Sequence, residues 1–138
     1  MPADNPDQIS PTTLIGKFVL GMSAIAFIGY GLTSLVSPDI PAGLAGIAIS
    51  NADGFAEVGA MYGGLQTGIG LFCLLSLIKA DFYRAGLVLL ALAIGSLALA
   101  RLLSVVVSTG EVSGYTYGAL AYEFATTGFA AYAILKAK

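Results

Sequence analysis

Four stretches of the chain, Leu14–Val36, Ala56–Ile78, Ala85–Val107 and Tyr117–Leu135, run for about 19 to 23 largely apolar residues each, and they restrict the fold more than any other feature. At 1.5 Å per helical residue, each reaches across a hydrocarbon layer of roughly 30 Å. The spacing predicts four transmembrane helices. Barrel strands would instead alternate in polarity over about ten residues, and no segment does so cleanly. Composition agrees, with 57% hydrophobic and only 10% charged residues, against roughly 25% charged in a soluble domain. The expected architecture is an all-α membrane protein: an antiparallel bundle of four transmembrane helices, a single domain over residues 14–138 behind a polar tail of residues 1–13. That tail carries Asp4 and Asp7 and no Lys or Arg. A secretory signal peptide starts basic, so the first apolar run reads as a retained span.

Several function classes fall away on residue types alone. Six Lys and Arg against eight Asp and Glu give a net charge of −2, with no basic field of the kind nucleic-acid phosphates require. The chain has no His and a single Cys, which removes the commonest metal ligand and general base and any disulfide framework. Neither a metal nor another cofactor is expected. Cys73 sits in an apolar stretch without a neighbouring base and reads as a packing thiol. Glycines 63, 64, 68 and 70 lack the strand, turn and Lys of a phosphate loop. These patterns lean away from an enzyme.

The basic residues set a direction. Lys17, Lys79, Arg84, Lys136 and Lys138 fall on one side of the predicted spans, while the other two connections hold Asp39, Asp53 and Glu111 without Lys or Arg. By the excess of Lys and Arg in cytoplasmic segments, both termini are expected in the cytoplasm. The turn from Lys79 to Arg84 is short enough to make the second and third helices antiparallel neighbours. The connection from Ser37 to Gly54 is longer and apolar, with Ile40, Leu44 and Ile47 at helical spacing behind Asp39, a candidate N-cap, and Pro41. It predicts a short interfacial helix.

Small residues let membrane helices approach closely. Gly59, Gly63 and Gly70 share a face of the second span with Gln66, and Gly64 and Gly68 form a second pair beside it. This helix is expected to be gripped on two sides, at the centre of the bundle.

Three ionisable side chains lie well inside the spans: Glu57, Arg101 and Glu123. Arg101 is six residues short of Val107 and Glu123 six past Tyr117, each about 9 Å from the same end, where Glu57 also starts its span. A charge at mid-membrane costs roughly 2.5 to 3.5 kcal/mol, so the three are expected to face inward and pair. The guanidinium fork can serve two carboxylates and keeps its proton. Two readings stand. In one the cluster is a polar clamp that fixes helix register, reinforced by Ser104 and by Thr126 or Thr127. In the other it binds a small lipophilic or weakly anionic ligand, or exchanges a proton, with Gln66, Tyr62 and Tyr122 beside it, Tyr115 and Tyr117 adding hydroxyls and walls, and the interfacial loop as lid. Expected partners are the bilayer and a lipophilic ligand or bound lipid under the second reading, or a larger membrane complex under the first.

The segments Glu57-Val-Gly-Ala-Met-Tyr-Gly-Gly-Leu-Gln66, Gly68-Ile-Gly-Leu-Phe72 and Ala98-Leu-Ala-Arg-Leu-Leu-Ser104, with the pair Tyr122-Glu123, resemble the uncharacterised bacterial membrane family known as domain of unknown function 4345. The likeness spans nearly the whole chain. It implies a small four-span protein of a bacterial inner (plasma) membrane and supplies no activity. An Arg is often found in the family where this chain has Gly59, so the resemblance implies a less basic cluster here. The outline is also similar to small DoxX-like proteins, on topology alone.

Overall fold

The computed structural model describes residues 11–136, with side chains from Thr13 onward. Most of the predicted tail, residues 1–10, and Lys138 lie outside the described residues. Five helices follow in order: α1 (Pro11–Val36), α2 (Asp39–Ala45), α3 (Ala52–Ile78), α4 (Ala80–Val107) and α5 (Gly114–Lys136). No strand occurs among the described residues. α1 is described from Pro11, three residues ahead of its apolar run. α3 starts before its apolar run, because Asn51 accepts a hydrogen bond from the Gly54 N–H at 2.8 Å and so caps the turn. Lys79 alone, in extended conformation, separates α3 from α4.

α1, α3 and α4 are long and apolar enough to cross a membrane. α5, at 23 residues, matches them in length, but its polar groups lower its hydropathy. Glu123 and Thr126 among them are buried. Two helices change pitch along the way: α3 contains a π-helical turn at Gly59–Gly64 and α4 one at Leu90–Ile94. Such turns insert an extra residue into an α-helix and recur near functional sites.

α1 packs along α3 and α5, while α4 packs on α3 and α5 from the far side. Val19, Leu20, Ala24 and Phe27 of α1 meet Cys73 of α3, Leu87, Leu90 and Ile94 of α4, and Ala130 and Ala133 of α5 in one core. Outside it the surface is greasy: Ile25, Ile78, Leu92, Leu103, Val106 and Leu135 are more than half exposed, an arrangement suited to lipid rather than water. The backbones of α1 and α3 come close at Gly70, where a Cβ would lie 2.7 Å from the Ile28 nitrogen, and at Gly63, where it would lie 2.7 Å from Leu35 Cγ. Gly59 touches only Pro38 at ordinary distance, and a Cβ on Gly64 or Gly68 would meet nothing within 4 Å. α3 is thus held by α1 on one side and α4 on the other, but the Gly64 and Gly68 face expected to take part lies open. α1 is the more enclosed helix, burying 39% of its most apolar window against 22% for α3. α3 leaves its Gly64 and Gly68 face open, whereas α1 lies against both α3 and α5.

Each end of the helices is tied. Tyr83 donates to the Thr13 carbonyl at 3.3 Å, and Gly16 leaves room for its ring beside Ala133. The start of α1, the start of α4 and the end of α5 therefore lie together, with Lys17, Lys79, Arg84 and Lys136 at that end. At the other end the Tyr30 and Tyr115 hydroxyls meet at 3.3 Å. There the long connection does fold a short helix, α2, but Asp39 is its first residue rather than its N-cap, a position taken by Pro38 without a side-chain bond. Gly46, at φ 69°, ends α2 in the left-handed conformation that glycine adopts without strain. Pro41 and Ala42 anchor α2 inward, leaving Ile40 and Leu44 exposed.

Candidate functional site

The four long helices converge at the tyrosine-tied end on a cavity of about 230 Å³. α1 lines it with Ala26, Phe27 and Tyr30, α3 with Tyr62 and Gln66, α4 with Leu97 and Arg101, and α5 with Tyr115, Ala119, Tyr122 and Glu123. Leu97 and Arg101 are one turn apart on α4, as are Ala119 and Glu123 on α5, so the apolar member of each pair walls the cavity next to its charge. Tyr62 comes from the π-turn of α3, and Gln66 follows one turn later.

Arg101 and Glu123 form a forked pair. Nε donates to both carboxylate oxygens at 3.0 Å, and Nη2 donates to Oε1 at 2.8 Å. Both side chains are largely enclosed, 25% and 6% exposed. The pair is electrically neutral as a unit, and Nη1 is left with its donors outside the fork. Tyr122 stands against Phe27 edge to face, with ring centroids 6.1 Å apart, and its hydroxyl is buried without a hydrogen-bond partner. A buried hydroxyl in that state costs about 1 to 3 kcal/mol unless something meets it. The cavity therefore offers apolar walls, unused donors and one orphaned phenol.

Five of the six residues expected at the site, Arg101, Glu123, Gln66, Tyr62 and Tyr122, line this cavity. Glu57 does not. It is exposed and lines a second cavity of about 260 Å³ with residues 47–49 of the long connection. The expected triad is a pair, because equal depth along three helices does not make three side chains point to the same axis. Among the described residues no hydrogen bond from Ser104, Thr126 or Thr127 reaches the pair. Ser104 donates to the Ala100 carbonyl of its own helix, and Thr127 Oγ1 is buried unpartnered. Tyr117 is 58% exposed and off the cavity, and no residue of α2 lines it, so the connection is not its lid here. Tyr30 carries no signal in the sequence beyond its position, one turn beyond Phe27 near the end of an apolar run.

A family model described as a domain of unknown function (DUF4345) matches residues 15–134. No curated protein and no solved structure matches the chain.

Proposed function

Since the chain belongs to the DUF4345 family, whose function is unknown, we propose that it is a non-catalytic, four-span protein of a bacterial inner membrane that holds one small, uncharged lipophilic molecule in the Arg101–Glu123 cavity. The observation that carries this reading is a largely apolar cavity whose wall holds a guanidinium with donors to spare. An acceptor group on a ligand would meet those donors. Because Glu123 already neutralises Arg101, a second anion would be uncompensated, which favours an uncharged ligand over an anionic one. The cavity exceeds the roughly 150 Å³ that admits benzene, so a single substituted ring or a short branched chain fits. In support of four spans, α5 is as long as a span needs and turns Glu123 and Thr126 inward. Cytoplasmic termini follow if the end with Lys17, Lys79, Arg84 and Lys136 obeys the charge rule of membrane insertion.

The test is mass spectrometry of organic extracts from purified protein, wild type against the Arg101→Gln/Glu123→Gln double variant. A compound near one per chain in the wild type and depleted at least tenfold in the variant is expected. Identical extracts would end the proposal. The open face at Gly64 and Gly68, beside exposed Leu65, favours a second reading, in which the chain is an accessory subunit of a larger membrane complex. Crosslinking from Gly68→Cys in native membranes to another protein, with no compound in the extract, is the outcome that reading expects.

A further inference from the structure

The carboxylate that does not join the pair has surroundings of its own. Gly54, Glu57, Val58 and Met61 recur at the spacing of one helical face on α3, and Ile47, Ala48 and Ile49 pass across that face, enclosing about 260 Å³ between them. Apart from Glu57 and the Tyr62 ring, the walls are aliphatic or thioether. Glu57 makes no hydrogen bond or ion pair with any described residue. Nor is there a free cation nearby to serve it: residues 37–57 and 108–116 contain Asp39, Asp53, Glu57 and Glu111 and no Lys or Arg, and Arg101 is committed to Glu123.

We propose that this second cavity binds a lipophilic organic cation, an ammonium with an apolar substituent, with the charge on Glu57 and against the Tyr62 ring and the substituent among Ile47, Ile49, Val58 and Met61. The chemistry excludes the other classes. A hard metal ion needs several oxygen ligands, and no group of three His, Cys, Asp or Glu side chains stands together among the described residues. An anion meets a field of its own sign. A neutral lipid would fill the walls and gain nothing from the exposed carboxylate, whereas a quaternary ammonium pairs with it without needing hydrogen bonds and is attracted to an aromatic face. The acidic end concentrates such cations near the mouth of the cavity. This site is separate from the Arg101–Glu123 cavity, with Tyr62 as their common wall.

Titration calorimetry of the full chain in neutral detergent with benzyltrimethylammonium tests the proposal, with neopentylbenzene, its uncharged isostere, as comparison. Saturable binding at one per chain is expected, weakened at least tenfold by Glu57→Gln and at least tenfold for the isostere. Asp39→Asn and Glu111→Gln remove the same charge from the same end without touching the cavity and are expected to change affinity less than twofold. No saturable binding, unchanged affinity in Glu57→Gln, or equal losses in all three variants would each overturn it. Extracts from Glu57→Gln should retain the compound of the Arg101–Glu123 cavity, so failure of one site is distinguishable from failure of the other.

Discussion

Replacing Arg101 with methionine keeps much of the side-chain volume and leaves the Glu123 carboxylate enclosed, 6% exposed, without any of the three hydrogen bonds it accepts. Breaking one side of a buried pair costs about 3 to 5 kcal/mol. Arg101 retains a quarter of its side-chain exposure, which admits some screening and sets the expected loss near 3 kcal/mol. Glu123→Gln should cost about 2 kcal/mol, since the amide can still accept from the guanidinium while the uncompensated charge sits on the more exposed partner. The double variant removes both charges and is expected to lose only about 2 kcal/mol, a coupling of roughly 3 kcal/mol, at the upper end for residues in direct contact. The assay is reversible unfolding by SDS titration in mixed micelles, read by circular dichroism for all four members of the cycle. Interhelical hydrogen bonds between neutral groups in membranes average only about 0.6 kcal/mol. A coupling at or below that figure would refute the argument that two enclosed charges depend on one another.

The glycines divide by what surrounds them: Gly70→Ala, with its Cβ against the Ile28 nitrogen, should cost about 1 to 3 kcal/mol in the same titration. Gly64→Ala and Gly68→Ala, in open space, should be neutral or gain up to about 1 kcal/mol from helix propensity. Tyr122→Phe removes an orphaned hydroxyl, so the delipidated protein should gain about 1 kcal/mol while the extracted compound falls, two readouts of opposite sign. For orientation, Cys73 is fully buried and is expected to stay silent to thiol reagents. A membrane-impermeant maleimide should label Ser50→Cys on intact cells and Ala80→Cys only after permeabilisation, and the reverse pattern would invert the proposed topology.

The long helices were legible because apolar length is a direct physical demand of the bilayer. The start of α3 was not, since the Asn51 cap and Asp53 in its first turn are polar residues that hydropathy discounts. Arg101, Glu123 and Gln66 stood out because a polar group within an apolar run is costly and must be met. Glu57 was placed with them on depth alone. Nine residues at about 100° each put it half a turn round from Gln66 in a regular α-helix, and the intervening π-turn alters that phase in a way the apolar pattern does not disclose. Tyr30 carried no such cost and hence no signal. The contrast between Gly63, pressed on Leu35, and Gly64, pressed on nothing, depends on which helix lies alongside, and that is a property of the assembled fold.

The separation of charge between the two ends has an electrical consequence. Lys17, Lys79, Arg84 and Lys136 gather at one end and Asp39, Asp53, Glu57 and Glu111 at the other, so the long axis of the molecule carries a permanent dipole across the insulating layer. With a potential of 100 mV, negative on the basic side, each unit charge forced to the opposite face would cost about 2.3 kcal/mol. In the proposed orientation an energised membrane would hold the chain in a single direction and draw cations toward the acidic rim.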